Sequence, residues 1–323
     1  MEKMVLGIVS PCYNEHEVLQ ESAVRLTELF DDLIEKGKIS SESFVLFVND
    51  GSTDNTWEII QKLYASNSYV YGINLAGNVG HQNAIHAGMM TAKEWCDAVI
   101  TMDADLQDDL GAVEKMVDCY KNGFDIVYGV KELRTADPFF KRITALAFYK
   151  MQHALGVKTV YNHADFRLMS RRALCQLERF KERNLFLRGI VPMVGYNTTT
   201  VRDVISERTA GTSKYTLSKM LNLAVDGITS FSTKPIRLIT MLGICFLLLS
   251  LIMAIYVLRA LIVHVAVPGW PSLMMSMWFI GSIILIAIGI IGEYIGKIYM
   301  EVKERPRYNI ETVLTRKNNP SQS

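Results

Sequence analysis

Two apolar runs near the carboxyl end limit what this chain can fold into more than any other feature. Residues 238–258 are 21 consecutive positions without a formal charge, and residues 271–292 are 22 more. As a helix, each run is long enough to cross ~30 Å of hydrocarbon. A buried helical hairpin in a water-soluble protein would need a cover for both, and so long a charge-free pair is hard to cover. Arg259, His264 and a Val-Pro-Gly-Trp-Pro turn at 267–271 separate the runs. Lys234 and Arg237 precede the first, and Lys297, Lys303, Arg305 and Arg307 follow the second. Basic residues at both outer ends predict that both termini lie in the cytoplasm and the short turn outside. The expectation is an integral membrane protein with a cytosolic head.

Charge is unevenly spread. The 323 residues carry 34 Lys+Arg and 33 Asp+Glu, yet residues 1–133 hold 9 basic and 22 acidic side chains, residues 134–234 hold 17 and 7, and residues 235–323 hold 8 and 4. The basic middle predicts an anionic partner. Two amphipathic stretches lie within it. In 138–155, Phe139, Ile143, Leu146, Ala147, Met151 and Leu155 recur at helical spacing beside Lys141, Arg142 and Lys150. In 215–231, Leu217, Met220, Leu221, Ala224, Ile228 and Phe231 do the same beside Lys214 and Lys219. A basic helix with an apolar face suits a headgroup layer, although the first stretch also reads as an ordinary core-facing helix. The five cysteines are scattered, with no C-x-x-C pair. That argues against a zinc site or disulfide framework and fits a reducing compartment. No signal peptide is expected, because the apolar run Met4 to Val9 is too short and leads into Pro-Cys-Tyr-Asn-Glu.

The first 130 residues alternate in pattern. Apolar runs at Val5–Val9, Phe44–Val48, Tyr69–Leu75, Ala98–Met102 and Ile126–Tyr128 predict strands, and helical spacing recurs in Glu17–Glu35, Thr56–Tyr64, Gln82–Lys93 and Leu110–Lys121. Such alternation predicts an α/β domain with a mainly parallel sheet covered by helices on both faces. Ligands bind such sheets at the carboxyl ends of the strands, where the polar clusters fall. No G-x-G-x-x-G follows the first strand and no G-x-x-x-x-G-K-[ST] occurs, so dinucleotide redox chemistry and P-loop hydrolysis lose weight. The histidines share no ligand spacing and read singly as structural. Asp103-Ala104-Asp105 stands after a buried strand and is trailed by Gln107 and Asp108. Two carboxylates one residue apart can hold Mg²⁺ or Mn²⁺ and leave positions for diphosphate oxygens. Such a metal neutralises charge growing on a nucleotide leaving group.

Pro11-Cys12-Tyr13-Asn14-Glu15, Asn49-Asp50-Gly51-Ser52-Thr53-Asp54, Asn78-Val79-Gly80-His81-Gln82 and Asp103-Ala104-Asp105-Leu106-Gln107-Asp108 together resemble the family 2 glycosyltransferases of GT-A fold. Asp165-Phe166-Arg167-Leu168-Met169-Ser170-Arg171, Arg208-Thr209-Ala210-Gly211-Thr212-Ser213-Lys214-Tyr215, Gly292-Glu293-Tyr294-Ile295-Gly296-Lys297-Ile298-Tyr299 and Arg305-Pro306-Arg307-Tyr308 narrow the match. With the two apolar runs, they resemble the polyprenyl-phosphate glycosyltransferases, especially the bactoprenol glucosyltransferase branch. The chain departs from that pattern in three places: Asp109-Leu110 stand where the family usually has two prolines, Asn49 where it commonly has Asp, and His81 where it often has Lys. The Q-x-x-R-W motif of processive synthases is absent.

The resemblance implies a GT-A nucleotide-sugar-binding head over 1–214, a juxtamembrane helix over 215–234, a two-helix membrane hairpin over 235–298 and a cytosolic tail over 299–323. It assigns Pro11, Tyr13, Asn14, Glu15, Asp50, Asp103, Ala104 and Asp105 to the nucleotide sugar, and Asp103, Asp105 and Gln107 to the metal. Lys131, Arg134, Arg208, Ser213 and Lys214 fall to the acceptor phosphate, with Asp165 and Arg208 as catalytic residues. Asp165 matches the family's catalytic base. A polyprenyl phosphate is already largely ionised near pH 7, since its second ionisation lies near ~6, so orienting a phosphate-binding arginine or a donor hydroxyl stays open for Asp165. The implied reaction is inverting transfer of a sugar, glucose first, from a UDP-sugar to undecaprenyl phosphate at the inner membrane. Galactose, N-acetylglucosamine, aminoarabinose, or GDP-mannose with dolichyl phosphate fit the same motifs. A non-catalytic membrane scaffold fits less well, because it needs none of Asp103, Asp105, Asp165 and Arg208, and so does a transporter or channel, because two spans without an acidic pair form no obvious path. Membrane lipids, a homo-oligomer and a downstream flippase are implied partners, and nucleic acid is not.

Overall fold

The computed structural model describes residues 3–131, 163–183, 185–203 and 269–317, with a few helical positions between 236 and 255. Strands β1 (Leu6–Cys12), β2 (Phe44–Asn49), β3 (Val70–Leu75) and β4 (Ala98–Thr101) are buried almost throughout. Burial on both faces explains why they read as continuous apolar runs and not as alternating ones. They are joined by α1 (Leu19–Glu35), α2 (Thr56–Ser66) and α3 (His81–Ala92), and α4 (Leu110–Lys121) follows β4. In α1, Leu19, Ala23, Leu26, Phe30 and Leu33 form the buried stripe. Asp109 caps α4 by accepting from the Gly111 N–H at 2.9 Å, which accounts for an acidic residue where prolines are usual.

Then come β5 (Ile126–Lys131), β6 (His163–Ser170), α5 (Arg171–Leu177), α6 (Leu187–Ile190), β7 (Thr198–Asp203), α7 (Trp270–Val302) and β8 (Ile310–Leu314). The sheet has eight strands in the order β7-β5-β6-β4-β1-β2-β3-β8. The parallel block β4-β1-β2-β3 is the expected one, and two antiparallel strands extend it. In β6, Arg167 pairs with Thr101 and His163 with Val130. The start of β6 therefore lies at the carboxyl ends of β4 and β5, and Asp165 stands at the edge where the acidic motif emerges.

The other antiparallel strand, β8, corrects an expectation. Residues 299–323 read as a tail, yet β8 pairs with β3 from Leu75↔Ile310 to Gly72↔Leu314. Arg316 donates to the Ser68 and Val70 carbonyls at 3.2 Å each and lies 4.3 Å over the Tyr64 ring. The Tyr64 hydroxyl in turn donates to the Thr315 carbonyl at 3.1 Å.

A second compact unit contains α7. Its window Phe279–Val302 has 24 residues and a mean hydropathy of 2.1, with none of it buried, so it is long and apolar enough to cross a membrane. The helix continues past Gly292, the expected end of the second run, to Val302. Most of the first run lies outside the described residues. Met241, Gly243, Ile244, Cys245, Leu248, Ile252 and Ile255 within it are helical and exposed. The amphipathic stretches 138–155 and 215–231 also lie outside the described residues.

Helix α3 sits against β1 and β2 at Gly88. A Cβ there would fall 2.4 Å from Val9 Cγ1 and 2.8 Å from Val48 Cγ2. Gly88→Ala is expected to destabilise the head by about 1–3 kcal/mol through overpacking, read as a fall in thermal midpoint. An unchanged midpoint would show that helix and sheet part without cost.

Candidate active site

Three loops at the carboxyl edge of the parallel strands are braced against one another. After β1, Asn14 takes φ +55°; its N–H donates to Ser52 Oγ at 3.0 Å and its Oδ1 accepts the Thr53 N–H at 2.9 Å. The Glu15 N–H donates to Thr56 Oγ1 at 3.0 Å. After β2, buried Asp50 receives the Val79 N–H on Oδ1 at 2.7 Å and the Gly80 N–H on Oδ2 at 3.0 Å. Burial pushes its carboxyl above the ordinary value, against those two bonds. Gly51 has φ +61°, and any Cβ would lie 2.4 Å from the Asn78 nitrogen, so only glycine fits between the loops. Asn49 Nδ2 donates to Asn74 Oδ1 at 2.7 Å, a bond that the family's usual aspartate could not make.

The acidic turn follows β4. Asp103 is exposed and Asp105 half-buried; Asp105 Oδ1 accepts the Gln107 N–H at 3.3 Å. Leu106, buried, takes φ +46°, a conformation that costs a branched side chain energy and holds the turn in an uncommon shape. His81 Nε2 lies 3.0 Å from Asp103 Oδ1, and its Nδ1 lies 3.9 Å from Asp165 Oδ2. Burial would lower the His81 pKa, but the bond to Asp103 and the charges of Asp103 and Asp165 prevail and raise it.

Asp165 is the most heavily bonded of these carboxylates. Its Oδ1 accepts from Arg167 Nη2 at 2.7 Å, and its Oδ2 from Arg188 Nη2 at 3.2 Å. Arg167 is 1% exposed. Burial alone would raise the Asp165 carboxyl, but Arg188, Arg167 and His81 outweigh it and hold the group well below the usual carboxylate range. It is a fixed anion, and a weak proton acceptor.

The structure thus brings Asp103, Asp165 and His81 together at the same strand ends that carry Asn14, Glu15, Asp50 and Asp105. Pro11 lies in β1 opposite Val48, and Tyr13 is exposed. Ala104 is buried, and its carbonyl accepts from Ser22 Oγ at 2.5 Å. Lys131 closes β5 opposite Asp203. Arg134, Arg208, Ser213 and Lys214 lie outside the described residues. Two contributors were not assigned to the site: His81 stood in a family motif but read singly as structural, and Arg188 was not singled out. His81 joins the site through tertiary contact with Asp103 and Asp165, and Arg188 through Asp165.

Among the described residues no three His, Cys, Asp or Glu side chains converge as a metal site. Asp103, Asp105 and Gln107 nevertheless present oxygen donors of the kind Mg²⁺ and Mn²⁺ prefer. Such oxygen donors fit a divalent cation.

The sequence model described as Glycosyl transferase family 2 matches residues 7–177. The chain is 51% identical over 307 residues to the "Uncharacterized glycosyltransferase YkoT" of Bacillus subtilis, covering 95% of this chain and 91% of that one. It is 38% identical over 310 residues to the bactoprenol glucosyl transferase of Shigella phage SfII, covering 95% and 98%. Among solved structures, the mannosyltransferase PcManGT from Pyrobaculum calidifontis, in complex with GDP-Man and Mn²⁺, covers 93% of this chain and 86% of its own at 14% identity, with a TM-score of 0.46.

Because Asp165 neutralises a buried guanidinium, Asp165→Asn is expected to cost about 3 kcal/mol or more of stability at pH 7. A carboxyl depressed in the folded state contributes fully above its unfolded value of ~3.9 and loses that contribution as pH falls toward the folded one. The deficit should therefore be equal at neutral and mildly acidic pH and shrink only below about pH 4. Chemical denaturation across pH checks this, and a deficit that vanished at mildly acidic pH would contradict it.

Proposed function

The chain belongs to glycosyl transferase family 2, and from that premise we propose that it moves a sugar, glucose first, from a UDP-sugar to undecaprenyl phosphate. The observation that carries this reading is the near-full-length match to bactoprenol glucosyl transferases, which covers 95% of this chain and so extends beyond the sugar-nucleotide half over the apolar helix. An apolar helix with no buried face supports a membrane enzyme fed with lipid acceptor from the bilayer. The basic flanks of the apolar runs support a head at the cytoplasmic face of the inner membrane. A separate flippase then carries the product across.

In this reading the braced loops at Tyr13, Asn14, Glu15 and Asp50 hold the nucleotide, and Asp103, Asp105 and Gln107 hold Mg²⁺ or Mn²⁺. The cation, when bound, neutralises charge on the departing diphosphate. A phosphate oxygen of the acceptor attacks the anomeric carbon, a new carbon–oxygen bond forms as the bond to UDP breaks, and the anomeric centre inverts. No proton has to leave the acceptor, which is already ionised near neutral pH. Asp165 accordingly acts as a positioning residue. It fixes Arg188, whose side chain is 30% exposed, so that a cation faces the incoming phosphate; Lys131, Arg134, Arg208, Ser213 and Lys214 add further donors from the basic middle.

The reaction is tested with full-length protein in detergent, undecaprenyl phosphate, Mg²⁺ or Mn²⁺ and a panel of UDP- and GDP-sugars, with mass spectrometry of the lipid product. A glucosyl phospholipid from UDP-glucose, lost in chelator, is expected; turnover that survives chelation ends the metal assignment. Asp103→Ala or Asp105→Ala should lower turnover at least about 100-fold with membrane insertion intact. Arg188→Ala should raise KM for lipid phosphate more than KM for the donor, and equal effects on both would remove its acceptor role.

A further inference from the structure

The motif Arg305-Pro306-Arg307-Tyr308 has no part in the chemistry above, yet it helps build a second polar cavity in the head. This cleft of about 210 Å³ is open to solvent and lined by His86, Glu178, Lys181, Arg183, Arg307 and Tyr308. It shares no residue with the acidic edge. Three of its six side chains are cationic and one is anionic. That one, Glu178, already receives Lys93 Nζ at 2.6 Å.

Arg307 organises the cleft. Its Nη1 lies 2.9 Å from His86 Nε2, and its Nη2 donates to the Phe180 carbonyl at 2.7 Å. A guanidinium only donates, so Nε2 of His86 is the acceptor and the ring proton sits on Nδ1. His86 is 5% exposed, and its Nδ1 is buried with no hydrogen-bond partner. A buried donor without an acceptor is costly, and an acceptor that arrives as a ligand would relieve it. Burial, with Arg307 and Lys93 nearby, pushes the His86 pKa down to about 3, so the ring keeps this neutral, donating form at physiological pH. Burial also pushes the Tyr308 hydroxyl up, so it stays protonated. Every lining group except Glu178 can therefore donate, and a phosphate group is rich in acceptors.

We propose that this cleft binds a phosphate group, held by Lys181, Arg183, Arg307, His86 and Tyr308, at a site separate from the donor, metal and acceptor residues. The group can come from a free phosphate or from a phospholipid headgroup. The latter source fits the chain, because Arg307 follows the end of the apolar helix at Val302 by five residues, and basic juxtamembrane segments attract anionic headgroups.

The test is calorimetric titration of inorganic phosphate into the full chain, held in phosphatidylcholine nanodiscs at low ionic strength. Lys181 is exposed, so Lys181→Glu reverses a cleft charge without disturbing packing, and Arg183→Gln gives a second reading. Each variant is expected to weaken phosphate binding at least about tenfold while the affinity for UDP is unchanged. Absence of phosphate binding to the wild type, or equal binding in wild type and both variants, overturns the proposal. A parallel titration in nanodiscs containing phosphatidate identifies the source. Loss of phosphate binding there assigns the site to a lipid headgroup, and retention assigns it to free phosphate.

Discussion

A guanidinium buried in the middle of a sheet has to be neutralised where it stands, and Arg167 sets that requirement here. It lies on β6 between Thr101 of β4 and Tyr128 of β5, where water cannot solvate it. Asp165 supplies the countercharge from the same strand, and Arg167 Nη1 reaches the Leu187 carbonyl at 3.4 Å. One buried cation thereby ties β6 to α6, whose second residue is Arg188. Removing either partner would strand a charge in low dielectric, which costs more than forming the pair gains. The edge of the site is rigid because the sheet cannot be folded without completing this set of bonds.

The same logic, with neutral groups, governs the donor side. Asp50 takes two backbone N–H groups from the loop before α3, and Asn14 clasps the loop after β2. Positive φ at Asn14, Gly51 and Leu106 shows where the chain has been bent to let these loops meet. Held in place by hydrogen bonds that do not involve a ligand, the loops require little reordering when one binds, and preorganisation of this kind lowers the cost of recognition.

What the sequence revealed follows from how local each signal was. The parallel strands announce themselves, because burial on both faces demands unbroken apolar runs, and the polar clusters at their ends mark the ligand edge. Strand β6 was legible only as a motif, since Asp165 and Arg167 interrupt its apolar pattern and their pairing is a tertiary fact. Strand β8 was missed because Ile-Glu-Thr-Val-Leu is short, half polar and follows a long apolar helix, and its place depends on an unfilled edge beside β3. His81 and Arg188 carry no spacing signal, being 107 positions apart, and only the fold brings both to Asp165.

For the proposed reaction, the arrangement of charge follows from the reactants. Donor diphosphate and acceptor phosphate are both anions and repel each other on approach, so proton transfer is not the difficulty. An alternation of carboxylates with basic groups answers that difficulty. Asp103 faces His81, His81 lies near Asp165, and Asp165 is bound to Arg167 and Arg188. Asp103 and the half-buried Arg188 stand at opposite ends of this series of contacts. A strongly depressed Asp165 serves this better than a titrating one, because a carboxylate that took up a proton would release Arg188 when the acceptor needs it most.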